Sequence, residues 1–362
     1  MFCHPTALLA ALACSIGVYS AVLRSQDYSS LAGMSTRGRI AYERGIKLVG
    51  SQPPPPPPTD TGYKLVFDAA HPHRMRRPGD QRGELLAKTS YLPRSGVATP
   101  AQIITATVDG FNMDYRVASL VTYGAHLVNG NHLTNLLSIG GFSKLSGPPP
   151  DLPAHAGGLS VHGTFEGDAS LTRSDDYLGN NHDLNATLFE QVIACEHDGR
   201  IWRRNYNVTA AAEFRWIRIQ DSIARNPTFD FGNPRFSTAY AESSFPLGFF
   251  SNLSEPDFLT GTSASNMRSF FLEEKYPENF HRRGTPFGGG SVIADLQKAH
   301  PIPVDFLEGE TSTICALYHK FVNRTTDLYP DPSGALRIAL NGNLGNFYQA
   351  VGSGCTQLFP YS

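Results

Sequence analysis

Apolar residues recur at helical spacing over several stretches of this chain, whereas strict two-residue alternation is scarce and short. Thr99 followed by Pro100 reads as a helix N-cap and first helical position, with Gly110 as the stop. Asp114 is placed to cap a second helix, in which Val117, Leu120, Val121, Gly124, Leu127 and Val128 form one apolar face. Asn129-Gly130-Asn131 ends it. Further helices are expected around 183–194, 212–224, 236–244 and 335–351, and in 212–224 Trp216, Ile219 and Ile223 share a face. No internal repeat interrupts this pattern. It predicts a mainly α fold in a single domain over 63–362.

The N-terminal 62 residues read differently. No charged side chain precedes Arg24, and Thr6 to Val18 form an apolar stretch followed by small residues at Ser20 and Ala21. That stretch is too short to span a bilayer, which needs about 20 apolar residues. Residues 1–21 read as a secretory signal peptide, with a buried N-terminal helix as the alternative. Residues 22–62 are polar and hold six consecutive prolines, Pro53 to Pro58. Such a run adopts an extended polyproline helix, so the segment reads as an arm outside the helical core. Four glycosylation sequons, at Asn185, Asn207, Asn252 and Asn323, agree with export.

Composition narrows the function classes. Hydrophobic residues make up 41% of the chain, too many for a disordered one. Thirty Lys and Arg against 32 Asp and Glu give a net charge of -2, with no basic excess to neutralise phosphates. A nucleic-acid partner is therefore not expected, and neither is a membrane span. With 34 Gly and 26 Pro, long ordered loops should join the helices. Of five cysteines, Cys3 and Cys14 fall in the signal segment, leaving Cys195, Cys315 and Cys355. A bridge between Cys315 and Cys355 would tie down the C-terminal tail, and Cys195 would then be left over.

Two constellations carry candidate chemistry. In Phe165-Glu166-Gly167-Asp168-Ala169-Ser170, Glu166 and Ser170 are four apart and would share one side of a helical turn. A carboxylate, a hydroxyl and the Gly167 carbonyl are hard oxygen donors suited to Mg²⁺. The plainer reading is a helix cap. In the second constellation, Pro234 would open a helix and Pro246 close it, with Arg235 and Glu242 between them. Seven residues turn a helix by about 700° and advance it about 10.5 Å, so both side chains point the same way. The arginine would then lean towards the carboxylate and hold an acid–base group in its charged form. A solvated surface face is the plainer alternative.

The run Gly158-Leu-Ser-Val-His162-Gly-Thr-Phe165-Glu-Gly-Asp-Ala-Ser170-Leu-Thr-Arg173 resembles the signature of the fungal haem-thiolate peroxidases, the chloroperoxidase family. The chain looks most like the long unspecific peroxygenases within it. Arg77-Pro-Gly-Asp-Gln-Arg-Gly83, Tyr91-Leu-Pro-Arg94, Ile219-Gln-Asp-Ser-Ile223, Thr238-Ala-Tyr-Ala-Glu242 and Gly354-Cys-Thr-Gln-Leu-Phe-Pro-Tyr361 continue the likeness. The resemblance implies a secreted glycoprotein whose peroxidase domain has about ten helices. It also implies haem b and Mg²⁺ as cofactors, with hydrogen peroxide and small apolar or aromatic molecules as substrates. By the same likeness Glu242 is the acid–base catalyst and Arg235 the charge stabiliser. Glu166, Gly167 and Ser170 hold Mg²⁺, Phe165 and Phe245 line the substrate channel, and Cys315 pairs with Cys355. By the same resemblance Met113 and Leu120 occupy channel positions where relatives can carry Phe.

One departure matters. In the family, Pro-Cys-Pro follows the Asp-Gln-Arg-Gly segment directly, and its cysteine is the axial iron ligand. Here Gly83 is followed by Glu84-Leu-Leu-Ala-Lys-Thr-Ser-Tyr91, and the cysteine lies inside the resulting gap. The chain as written has no axial thiolate. Either the gap is a misplaced splice boundary in an ordinary peroxygenase, or the protein is a non-catalytic secreted binding or structural glycoprotein on the same fold. Glu84 is the nearest carboxylate for haem held in some other way.

Overall fold

The computed structural model describes residues 63–64 and 91–362, apart from 94, 195, 198–199, 202–204, 233, 254–260, 274–275, 279, 303–313 and 353. The expected signal peptide, the expected Pro-rich arm, the gap after Gly83 and Cys195 lie outside the described residues.

Nine α-helices are described: α1 Pro100–Phe111, α2 Tyr115–Asn129, α3 Ala186–Ala194, α4 Val208–Arg225, α5 Arg235–Phe249, α6 Ala264–Phe271, α7 Gly290–Ala299, α8 Ile314–Leu328 and α9 Gly334–Val351. The described strands are two-residue pieces in antiparallel pairs, such as Val97–Ala98 with Leu137–Ser138. The mainly α expectation is met.

Local chemistry explains where α1 and α2 begin. Thr99 and Gln102 form a capping box: the Gln102 amide donates to the Thr99 hydroxyl, and the Thr99 amide to Gln102 Oε1 at 2.9 Å. Gly110 does not stop α1. The helix runs to Phe111 and is capped by Asn112 at φ 55°, a left-handed conformation that asparagine tolerates. The Asp114 carboxylate accepts from the Arg116 and Val117 amides and starts α2, as expected.

Helix α2 is the central packing element, flanked by α1, α8 and α9. Gly124 lets the aromatic rings of Phe321 and Phe347 approach: a Cβ there would already meet both at 3.4 Å. Leu127 and Val128 are buried as expected, while Val117, Leu120 and Val121 are half-buried at its rim.

A second layer brings α4 against α5 and α7. The apolar face assigned to α4 is only partly right. Ile219 is fully buried but Ile223 is 48% exposed, because the buried stripe runs instead through Ala211, Arg215, Arg218 and Ser222. Pro246 does not close α5, which continues to Phe249. The ring forfeits one helical hydrogen bond, while the Pro246 carbonyl is held by the Phe250 amide and the Thr262 hydroxyl.

Cys315, at the start of α8, is bonded to Cys355, just beyond α9, with their Cα atoms 5.4 Å apart. Among the described residues, no helix is long and apolar enough to cross a membrane.

Candidate active site

The Phe165–Ser170 segment is not a helical turn. Ala169 adopts φ 61°, and the chain bends so that Glu166 O accepts from the Gly163 amide at 2.7 Å. The spacing argument that set Glu166 and Ser170 on one helical side therefore fails, although both residues are buried. What shapes the segment is a polar frame. Asp175 Oδ1 accepts from the Ala169 amide, and the single Asn226 amide donates to both Asp168 and Asp175 at 3.0 Å. From α4, Arg218 Nε donates to the Ser170 carbonyl at 2.7 Å, and Arg215 Nη1 donates to the Ala169 carbonyl. Buried guanidinium groups are tolerated only when hydrogen-bonded in this way. Burial raises the pKa of Asp168.

Helix α5 crosses this frame. Gly167 is required at the crossing, since a Cβ would come within 2.9 Å of Arg235 Cδ. Arg235 Nε donates to the Gly163 carbonyl at 2.9 Å, and its Nη1 donates to the Asp230 carbonyl and pairs with the Asp230 carboxylate at 3.3 Å. The expected lean of Arg235 towards Glu242 is thus not what its hydrogen bonds record. One cavity nonetheless brings Phe165, Gly167, Ser170, Arg235 and Glu242 together, with Asp168, Arg215, Thr238 and Ala239 completing its walls. Glu166 does not line it.

A second, more apolar cavity shares Arg215 and Glu242 with the first and is otherwise walled by residues such as Leu171, Val192, Pro246 and Phe271. Glu242, 9% exposed, thus stands between a polar and an apolar space. Phe245 lines neither cavity. It packs on Phe249, which meets Phe287 edge-on, and Phe287 in turn bridges Met113. Leu120 also lines neither.

Arg215 is the main residue that sequence reasoning missed. It is fully buried, its Nε donates to Ser243 Oγ at 2.8 Å, and Glu242 opposes the burial that lowers its pKa. The signal was present as Arg215 and Arg218 three apart on a stripe shared with Ala211 and Ile219. Hydrophobic periodicity scores such arginines as solvent-facing, which hides them.

A helical fold with a buried carboxylate and two arginines around one cavity defines the class: a protein with an internal acid–base site. The comparisons then narrow it. The family model described as "Peroxidase, family 2" matches residues 71–285. An aromatic peroxygenase of Cyclocybe aegerita is 46% identical over 352 residues, covering 92% of this chain and 94% of the relative. One from Coprinellus radians is 50% identical over 226 residues, 61% of this chain and 86% of the relative. A dothistromin biosynthesis peroxidase of Dothistroma septosporum is 28% identical over 268 residues, 64% of this chain and 62% of the relative. The chain belongs to peroxidase family 2, and by that membership it is an oxidoreductase acting on peroxide.

Proposed function

We propose that this protein is a secreted peroxygenase or peroxidase that uses hydrogen peroxide to oxygenate or oxidise small apolar and aromatic molecules. The observation that carries this reading is the cavity where Phe165, Gly167, Ser170, Arg235 and Glu242 meet. It occurs in a chain whose relatives are named aromatic peroxygenases. Glu242 is the acid–base group of this reading, a buried carboxylate able to hold a proton taken from peroxide. Arg235, at the rim, adds positive charge where negative charge develops. Phe165 forms the aromatic wall of the cavity, while Phe245, Met113 and Leu120 are carried as channel residues by the likeness alone.

Glu166, the Gly167 carbonyl and Ser170 are the donors for Mg²⁺ in this reading. They supply one carboxylate, so the ion would need a further anionic ligand from outside the protein. Secretion is supported by the Thr6 to Val18 stretch, the sequons and the disulfide. Asn323 is exposed and is the best-placed glycan acceptor, Asn185 and Asn207 are half-buried, and Asn252 is only 2% exposed.

Family membership implies haem. The donor set does not fit a thiolate-held one. The described cysteines are bonded to each other, and no Pro-Cys-Pro follows Gly83. No step is derived through the haem for that reason.

The reading is tested by supplying oxygen-18-labelled hydrogen peroxide with a small unactivated aromatic hydrocarbon. Labelled oxygen is expected in the product, and E242Q should lower turnover by about 100-fold or more. Absence of any peroxide-dependent product would overturn it. The missing cysteine favours a second reading, a non-catalytic secreted glycoprotein on this fold. Reading the transcript across codons 83 to 85 decides between them, because a restored Pro-Cys-Pro would sink the second.

A further inference from the structure

Arg283 is a half-buried cation with no partner among the described residues. Its Nε is buried without a hydrogen bond, and no hydrogen bond or ion pair engages the rest of its guanidinium. Burial lowers its pKa, and no carboxylate opposes that shift. Its neighbour Arg282 shows the usual arrangement, with Nη1 donating to the Val108 and Asp109 carbonyls. A charge withdrawn from water is ordinarily paired, so Arg283 calls for an acceptor.

The fold holds this cation in place from both sides. Asn112 Nδ2 donates to the Arg283 carbonyl at 3.0 Å, the Phe287 amide to the Asn112 carbonyl at 3.0 Å, and the Asp114 amide to the Phe287 carbonyl at 2.9 Å. The guanidinium lies over the Phe287 ring, with Cζ 5.1 Å from its centroid. Phe287 in turn fills the space left by Gly248 of α5, where a Cβ would come within 2.0 Å of the ring, and meets Phe249 edge-on. Met113 bridges Phe287 and Phe245 packs on Phe249, so the cation stands beside two residues that the likeness assigns to the channel.

The chemistry of the missing partner is narrow. A guanidinium only donates hydrogen bonds, so the partner accepts them. Its planar fork matches a carboxylate better than a spherical ion, because two parallel N–H···O bonds form at once. With Nε buried, the two terminal nitrogens are left to make them. The Phe287 ring beneath the fork rewards an acid that carries an aromatic body.

We propose that Arg283 is a specificity residue that anchors the carboxylate of aromatic acids at the edge of the Met113, Phe287 and Phe245 cluster. Its terminal nitrogens donate to the two carboxylate oxygens, and the aromatic body of the acid lies along Phe287 towards Met113. The inference rests on the function proposed above and adds to its small aromatic substrates an acidic subclass held by charge.

The test reads binding and does not depend on turnover. Benzoate, its neutral counterpart benzamide, and acetate are each titrated into the full chain and followed by ligand-observed magnetic resonance. Benzoate is expected to bind more tightly than either of the others. In R283Q the half-saturating benzoate concentration should rise by about tenfold or more, as loss of a charge-assisted pair predicts, and the preference over benzamide should vanish. R283K, which keeps the charge but not the fork, should fall between the two. Circular dichroism establishes that each variant is folded. If R283Q does not fold, R283K decides, and an unchanged half-saturation in R283K overturns the inference. It is also overturned if R283Q keeps the preference for benzoate, or if the unaltered protein shows none. Acetate binding as tightly as benzoate overturns it too, since that marks an unselective anion contact. Labelled product from a neutral aromatic hydrocarbon reports separately on the broader function. Its formation without benzoate binding sinks the acid subsite alone, and benzoate binding without any product sinks the function and leaves an acid-binding site.

Discussion

A buried histidine pair illustrates how much a single side chain can set. His132 lies beneath α2, with its Nε2 at 3.2 Å from the Leu127 carbonyl and its Nδ1 at 3.1 Å from the Asn343 amide. The carbonyl can only accept and the amide nitrogen only donate, so Nε2 carries the proton in the neutral ring. Burial pushes the His132 pKa down to about 4, and His126, edge-on at 4.9 Å, is lowered as well by burial and by His132. Both folded values lie below the unfolded one. The unfolded chain therefore binds protons first as pH falls, and the contribution to stability is present above about pH 6.5 and lost below it. For His132 the loss runs from about pH 6.5 to pH 4 and amounts to roughly 3 kcal/mol. Denaturant midpoints measured between pH 7.5 and 4.5 should fall, and H132Q should flatten the slope. An unchanged slope would contradict the burial argument. Gly167 acts at the same scale by subtraction, since its missing side chain is what lets the stem of Arg235 pass.

At the level of elements, the two helices best anticipated are those whose ends carry their own chemistry. The α1 capping box satisfies amides that no helical carbonyl can reach. T99A is expected to destabilise the protein by about 1 kcal/mol. In thermal melts this should appear as a fall of roughly 1–2 °C, and a melting temperature equal to the parent would show the cap to be redundant. Helices α6, α7 and α8 were not anticipated. The first two are short and lie between Gly- and Pro-rich stretches, which dilutes their periodicity. Helix α4 was anticipated with the wrong face. Its buried side carries arginines whose partners lie in the 165–175 segment, so no local pattern could reveal it.

For the whole molecule, the C-terminal tail closes the fold over α8 and α9. The Tyr361 hydroxyl donates to the Tyr329 carbonyl at 2.8 Å, with the Thr325 carbonyl at 3.2 Å beside it, the Leu358 amide donates to the Tyr318 hydroxyl, and Arg337 Nε to the Tyr361 carbonyl. The Cys315–Cys355 bond spans a 40-residue separation around the same tail. In the chain-entropy account, closing such a loop is worth about 3–4 kcal/mol. Reduction should therefore lower the melting temperature by roughly 5–6 °C, with the hydrogen-bonded tail keeping most of the helical signal below the transition. A shift under about 2 °C would assign the closure to the hydrogen bonds instead.

The sequence by itself determined the class of fold, the capped helices of the first layer and the family. These depend on residues close in the chain: caps, a helical period, and a contiguous run such as Phe165 to Arg173. It also revealed the missing Pro-Cys-Pro. Tertiary structure decided how the candidate site is assembled. It turned the Glu166 to Ser170 segment from a helical turn into a left-handed bend and drew Arg235 towards Asp230. It also placed Arg215 between the Ala169 carbonyl and the Ser243 hydroxyl. Those outcomes depend on which donor meets which acceptor across segments dozens of residues apart. A buried charge is stable only with such partners, and one-dimensional periodicity carries no record of them.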